Sequence, residues 1–86
     1  MSPTNEVLLD VRTPAEFAEA HAEGAINIPV QELPRRIAEL DRSRRVVVYC
    51  RSGARSAAAA TMLRSAGYTV EDCSTLSGAR LRGRRH

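Results

Sequence analysis

One cysteine in this chain stands among residues that would make its sulfur reactive. Cys50 follows an apolar run and precedes Arg51, Gly53 and Arg55. A glycine turn that leads into a helix would aim backbone N–H groups and the positive helix end at the sulfur. Two permanently charged guanidinium groups would lie nearby. Each effect favours the thiolate, which is the nucleophilic form of cysteine. The segment therefore predicts a catalytic Cys50 rather than a buried structural cysteine.

The residues after Cys50 are also predicted to bind an anionic substrate. A sulfonate or phosphate would meet backbone N–H donors and a guanidinium fork together at such a loop. Thiosulfate fits because it joins an anionic head to a transferable outer sulfur. We expect Arg55 to contact the anion, whereas Arg51 either does the same or points to solvent and acts through its field alone. The expected substrate-binding residues are Arg51, Ser52, Gly53, Ala54, Arg55 and Ser56.

The elements that must position this loop predict an α/β fold with a small parallel β-sheet flanked by helices. Aliphatic and β-branched runs predict strands over residues 7–11, 25–29, 46–49 and 68–72. Helical spacing predicts helices from Pro14 to about Ala20, over residues 31–40, and from Arg55 or Ser56 to Ala66. Alternating strands and helices imply right-handed crossovers and a parallel sheet. Ligands bind at the carboxyl ends of such strands, where Cys50 lies.

Two local patterns set the expected helix ends. In residues 13–16, Thr-Pro-Ala-Glu, Thr13 can accept the N–H of Glu16 while the Glu16 side chain reaches back to the cap. Pro14 suits the first position of a helix. Gly67 is the predicted C-terminal stop of the third helix.

Length and composition limit the classes that fit. The 86 residues allow one domain, and two cysteines do not make a disulfide scaffold. No apolar run approaches the ~20 residues of a membrane-spanning helix, and the N-terminus lacks a signal-peptide pattern. We therefore expect a soluble cytoplasmic protein with no membrane partner, and a monomer. All 13 basic residues are arginine, which is typical of GC-rich bacterial genomes.

The remaining composition predicts neither a cofactor nor a nucleic-acid partner. No His/Cys cluster has the spacing of zinc ligands, so we expect no metal and no organic cofactor. The arginines near the C-terminus are not interleaved with aromatic residues. Residues 80–86 are accordingly predicted to form a basic, mobile tail rather than a nucleic-acid-binding arm.

The chain resembles the rhodanese (thiosulfate sulfurtransferase) family over nearly its whole length. The segments that carry the resemblance are residues 9–12 (LDVR), 16–17 (EF), His21, 24–29 (GAINIP), 47–56 (VVYCRSGARS) and 63–68 (LRSAGY). The resemblance implies a rhodanese-like domain over residues 1–79. It also implies a catalytic Cys50 that takes sulfur from thiosulfate as a persulfide and passes it to cyanide or a thiol. The loop from Cys50 to Arg55 is implied to bind the substrate.

The length of this loop separates sulfur transfer from phosphate chemistry. Related phosphatases and arsenate reductases carry five residues between the cysteine and the arginine, whereas four residues separate Cys50 from Arg55 here. The tighter loop favours sulfur transfer.

Two functions remain open at the level of sequence. The first is an enzyme that moves sulfane sulfur from thiosulfate, or from a persulfide, to cyanide, a small thiol or a protein thiol. The second is a sulfur-carrier or interaction module that a protein persulfide donor, such as a cysteine desulfurase, loads at Cys50. The chemistry at the sulfur is the same in both, so sequence leaves both open. The intact cysteine loop argues against a third possibility, an inactive binding domain.

Four further residues have chemistry-bearing types. Asp10 and Arg12 are interpreted as structural: Asp10 would accept loop amides, and Arg12 would bridge acidic or carbonyl groups. His21 is interpreted as a hydrogen-bonded loop histidine rather than a general base. If the last strand lies beside residues 46–49, Cys73 and Cys50 would each follow a strand end, and Cys73 could resolve an oxidised or persulfidated Cys50. A Cys73 side chain that points elsewhere is the favoured alternative.

Overall fold

A single parallel sheet organises the computed structural model, which describes residues 6–75. Its four strands lie in the order β2-β1-β3-β4. Their bounds are β1 (Glu6–Asp10), β2 (Ile26–Asn27), β3 (Arg45–Cys50) and β4 (Val70–Thr75). Asp10 pairs with Asn27 on one side and with Tyr49 on the other, so the carboxyl ends of these strands meet at one edge. The predicted parallel sheet is confirmed. The predicted boundary between residues 1–79 and a tail over 80–86 lies outside the described residues.

Two of the three predicted helices form as expected. Helix α1 (Pro14–Glu19) starts with a complete capping box, in which Thr13 accepts the Glu16 N–H and Glu16 accepts the Thr13 N–H. The third predicted helix spans Ala54–Ser65. Gly67 follows the C-cap Ala66, and its φ of +95° places it in the left-handed region. The N–H groups of Gly67 and Tyr68 donate to the carbonyls of Arg64 and Leu63, as in a Schellman motif.

The single helix predicted over residues 31–40 is wrong. A four-residue helix, α2 (Leu33–Arg36), lies between two 3₁₀ turns, Val30–Glu32 and Ile37–Glu39. Pro34 lacks an N–H, so the hydrogen bond that would extend the helix backwards cannot form. Arg36 then leaves helical geometry at φ −114° and ψ 3°. The following helix (Ala54–Ser65) is named α3.

Strand β4 also differs from its prediction. It begins at Val70 and runs to Thr75, so Cys73 lies inside the strand rather than after it. The pairing with β3 shifts register between Val48 and Tyr49, where Val48 pairs with Asp72 and Tyr49 with Ser74. Cys73 is the additional residue of this bulge, and Ser74 has a φ of +68°. Bulges of this kind bend a strand and re-aim its side chains.

The two faces of the sheet carry separate packed clusters. Cys50 is buried in the larger, aliphatic cluster with Val48 and the α3 residue Leu63. Tyr49 points to the opposite face and packs with Ala22 and the half-buried Cys73. The two cysteines therefore lie on opposite faces of the sheet.

Candidate functional site

The sulfur of Cys50 lies where β3 ends and the loop to α3 begins. Cys50 is the last residue of β3, whereas the sequence predicted that it follows the strand. It has no exposed surface. Gly53 is the N-cap of α3 at φ +99°, a left-handed conformation that favours glycine. This turn points the Gly53 N–H at Cys50 Sγ, 2.9 Å away. The predicted cradle of N–H groups is therefore present.

Opposing effects act on the pKa of the Cys50 thiol. Burial is the largest and raises the pKa. The Ser56 hydroxyl and the N–H groups of Ser56, Gly53 and Ser52 hydrogen-bond the sulfur and together outweigh burial, so the pKa lies below its ordinary value. The largest contributions that favour the thiolate are thus hydrogen bonds rather than the flanking arginines.

Ser56 holds the loop from inside. Its side chain is fully buried at the start of α3. Its hydroxyl lies 3.1 Å from the Gly53 carbonyl, to which it can donate. Because a hydroxyl has one proton, Ser56 serves either this carbonyl or the Cys50 sulfur at any moment. A negative charge on the sulfur favours the second arrangement.

The arginines of the loop contact an acidic residue from another part of the chain. Arg55 Nη1 lies 2.9 Å from Glu16 Oε1, and Arg55 Nη2 lies 3.2 Å from Glu16 Oε2. Arg51 Nη1 lies 3.7 Å from Glu16 Oε2. The side chain of Arg51 is 77% exposed and that of Arg55 is 32% exposed. The structure therefore brings the predicted anion-binding arginines together around one carboxylate.

Glu16 is the site residue that sequence reasoning missed. Its carboxylate accepts the Thr13 N–H at 2.9 Å as part of the capping box, which was its predicted role. The Arg55 guanidinium first, and then the Thr13 N–H, lower the pKa of Glu16 to about 2, against a smaller opposing effect of burial. Nothing in the 39 residues of separation indicated the ion pair with Arg55. The one indication in the sequence that Glu16 belongs to the site was its place in a segment that carries the family resemblance.

A buried polar network lies beside the site and fixes the loop after β1. Asp10 accepts the backbone N–H of Arg12 at 2.9 Å and the Tyr49 hydroxyl at 2.7 Å. Arg12 Nη2 donates to the Ala20 carbonyl at 2.5 Å. The Tyr49 oxygen accepts the Ala22 N–H, and burial first raises the pKa of Tyr49 to about 12. The structural interpretation of Asp10 and Arg12 is confirmed.

The structure places His21 and Cys73 in structural positions. The His21 ring stacks on Phe17 with centroids 3.8 Å apart, and its Nδ1 donates to the Phe17 carbonyl at 2.8 Å. The interpretation of His21 as a hydrogen-bonded loop residue is confirmed. Cys73 packs against the Tyr49 face, while Cys50 faces α3 and pairs with Thr75. A disulfide requires side chains directed at each other, so the favoured alternative for Cys73 is confirmed.

The described residues contain neither a metal-binding cluster nor a membrane-spanning helix. Within residues 6–75, no group of three or more His, Cys, Asp and Glu side chains could hold a metal ion. Over the same range, no helix combines the length and apolar character needed to cross a bilayer.

The Cys50 thiol is buried at the carboxyl end of a central parallel strand and accepts N–H groups of the following loop, which defines an α/β protein with a reactive-cysteine loop. The chain belongs to the family of rhodanese-like domains, whose model matches residues 1–80. It is therefore a member of a family of sulfurtransferases and sulfur carriers.

The matched relatives and a solved structure agree with this assignment. A sulfurtransferase of Allochromatium vinosum is 45% identical over 69 residues, which cover 79% of this chain and 64% of that protein. Thiosulfate sulfurtransferase PspE of Escherichia coli is 43% identical over 63 residues, covering 71% and 61%. A putative sulfur carrier, YrkF of Bacillus subtilis, is 36% identical over 61 residues, covering 71% and 33%. The structure of a rhodanese with anions from E. coli has a TM-score of 0.78 at 39% identity, covering 85% and 89%. This chain thus spans less than two thirds of the length of the first two relatives.

Proposed function

We propose that this protein is a sulfurtransferase that carries sulfur as a persulfide on Cys50. The donor is thiosulfate or another sulfane-sulfur compound, and the acceptor is cyanide, a small thiol or a protein thiol. The observation that carries the proposal is the set of hydrogen bonds to the Cys50 sulfur, which lower its pKa despite full burial. The thiosulfate sulfurtransferase among the relatives supports the choice of donor.

The reaction divides into two displacements at sulfur. In the first, the Cys50 thiolate attacks the outer sulfur of thiosulfate, and sulfite leaves with the electron pair of the broken S–S bond. The persulfide anion that remains meets the same N–H donors as the thiolate. In the second, cyanide or an acceptor thiolate attacks the terminal sulfur and restores the Cys50 thiolate. Such covalent catalysis gives ping-pong kinetics.

The loop amides would act in both displacements. The N–H groups of Ser52, Gly53 and Ser56 stabilise negative charge at the sulfur position. Arg51 and Arg55 are proposed to bind the anionic head of the donor. Because Arg55 already pairs with Glu16, an entering sulfonate has to share this guanidinium with a carboxylate.

The test is to load the reduced protein and record its intact mass. Wild type, Cys50→Ser and Cys73→Ser are incubated with thiosulfate and freed from excess donor. We expect a gain of one sulfur atom that cyanide removes, present in wild type and Cys73→Ser and absent in Cys50→Ser. Cys73→Ser is the matched control because it removes the other thiol of the chain. A gain that persists in Cys50→Ser would refute the proposal.

A second candidate is a carrier that a protein persulfide donor loads. The relative named as a putative sulfur carrier favours it. The same mass measurement separates the two functions. No gain from thiosulfate, together with rapid gain from a persulfidated cysteine desulfurase, would establish the carrier. Equal or faster loading by thiosulfate would exclude it.

A further inference from the structure

Glu16 brings a negative charge next to both arginines of the Cys50 loop. Its side chain is 19% exposed, and it forms ion pairs with both loop arginines. The depressed pKa keeps it ionised throughout the neutral range. Two guanidinium charges therefore face one carboxylate and one thiolate, and the formal charges of these four groups cancel.

This balance has a direct consequence for an anionic donor. A donor that reaches Cys50 approaches Arg51 and Arg55, and both contact Glu16. The donor gains attraction from the guanidinium groups and suffers repulsion from the Glu16 carboxylate. Both energies scale with the donor's charge, so loss of the Glu16 charge changes the interaction energy of a dianion about twice as much as that of a monoanion at the same position.

We propose that Glu16 sets the charge selectivity of the site, by cancelling part of the advantage that Arg51 and Arg55 would otherwise give a dianionic sulfane-sulfur donor over a monoanionic one. The inference rests on the proposed function, since it concerns the compound that loads Cys50. Glu16 touches Arg55 rather than the reacting atoms, so it is a positioning and specificity residue. It deepens the proposed reaction by assigning the charge selectivity of the site to a named residue.

Two donors of nearly the same shape isolate this effect. Thiosulfate is a dianion, and methanethiosulfonate replaces one of its anionic oxygens with a methyl group, which leaves a monoanion. With thiosulfate the Cys50 thiolate forms the new S–S bond and sulfite leaves with the electron pair. With methanethiosulfonate the same bond forms and methanesulfinate leaves. The Cys50 persulfide is identical in both cases.

The measurement is the second-order rate constant of persulfide formation with each donor. The variants are Glu16→Gln, Glu16→Asp and Glu39→Gln. Gln at this position still accepts the Thr13 N–H, so the capping box is retained. Glu39 pairs with Arg36 on the surface, and Glu39→Gln therefore makes the same change in net charge away from the site.

We expect Glu16→Gln to raise the ratio of the thiosulfate rate to the methanethiosulfonate rate by about fivefold at low salt, with a smaller effect at high salt. Glu16→Asp and Glu39→Gln are expected to leave the ratio within about twofold of wild type, because each keeps the charge at the site.

Three results would overturn the inference. An unchanged or lowered ratio in Glu16→Gln would mean that Glu16 serves to orient Arg55 for thiosulfate. An equal rise in Glu16→Asp and Glu16→Gln would mean that side-chain geometry, not charge, controls the ratio. Absence of persulfide in wild type with both donors would remove the proposed function itself, and this outcome is distinct from an altered ratio.

Discussion

Burial and hydrogen bonding act in opposite directions on the Cys50 sulfur, and the hydrogen bonds prevail. The sequence predicted Cys50 as the nucleophile and predicted that its pKa is lowered, since the glycine turn at Gly53 and the start of a helix could be recognised in the sequence. It attributed part of the effect to Arg51 and Arg55, whereas the Ser56 hydroxyl is the largest favourable contribution. A serine hydroxyl at this position has no sequence signature, because its role depends on the turn made by Gly53.

The role of Ser56 leads to a prediction about the pH dependence of the thiol. Ser56→Ala removes the largest hydrogen bond to the thiolate, so the pKa of Cys50 rises. We expect alkylation below the wild-type pKa to slow by about tenfold, the equivalent of one hydrogen bond to a charged acceptor. The measurement is the rate of iodoacetamide modification across pH.

The matched control is Thr61→Ala, which removes a hydroxyl from an exposed position of the same helix. Its pH profile is expected to coincide with that of wild type. An unshifted profile for Ser56→Ala would assign the low pKa to the backbone amides alone.

At the scale of elements, helix ends that depend on neighbouring residues could be predicted from the sequence, whereas features that depend on contacts between distant segments could not. The capping box of α1 and the glycine stop of α3 depend on neighbouring residues, and both are confirmed. The broken segment over residues 30–39 depends on Pro34, whose effect on the preceding turn was underestimated. The bulge at Cys73 arises from the register between β3 and β4, which no single strand encodes. The contact of Glu16 with Arg55 likewise depends on the tertiary fold, because 39 residues separate the two in sequence.

The turn before α3 gives a prediction that separates stability from reactivity. Gly53 lies at φ +99°, so Gly53→Ala places a Cβ on left-handed backbone. That Cβ would meet Ser74 at 3.6 Å, an ordinary contact, so the cost comes from the backbone. We expect a loss of about 1–2 kcal/mol in the free energy of unfolding and a raised pKa of Cys50, since the N–H moves from the sulfur.

Gly24→Ala provides the comparison for this change. Gly24 lies at φ +83° with nothing within 4 Å of the added Cβ. Both variants are expected to lose similar stability in urea unfolding, and Gly53→Ala alone is expected to slow persulfide formation. Equal loading rates in the two variants would show that the Gly53 turn does not position the sulfur's donors.

At the scale of the whole molecule, the Glu16–Arg55 ion pair joins the first helix to the helix that follows the cysteine. The two residues are 39 positions apart in sequence, and Arg55 Nη1 lies 2.9 Å from Glu16 Oε1. The pair therefore stabilises the folded chain as well as the site. The parallel sheet and the family could be predicted from the sequence, because the apolar periodicity and the order of the motifs extend along the whole chain. Which charges pair across it was not predictable, since thirteen arginines can pair with ten acidic residues in the sequence.

This ion pair leads to a prediction about how the free energy of unfolding changes at acidic pH. The pKa of Glu16 falls from 4.5 to about 2 on folding, so its contribution is complete above 4.5 and is lost as the pH falls through 2. Glu16→Gln is therefore expected to lower the free energy of unfolding near neutral pH by about 1 kcal/mol, after discounting for solvent screening, and to approach wild type below pH ~2.

Thermal unfolding across pH checks this expectation, with Glu39→Gln as the control at an exposed surface pair. The gap between wild type and Glu16→Gln is expected to close on acidification. A constant gap from neutral to acidic pH would mean that the variant acts through packing rather than through ionisation.

The complete burial of Cys50 also governs which sulfur of a persulfide an acceptor would meet. In a persulfide at this position the inner sulfur would be shielded from solvent, whereas the terminal sulfur extends one bond farther from the backbone. An acceptor would therefore meet the terminal sulfur, which is the atom to be transferred, and not the sulfur that belongs to Cys50. Burial of the cysteine would in this way favour delivery of the sulfur over a mixed disulfide between the protein and its acceptor.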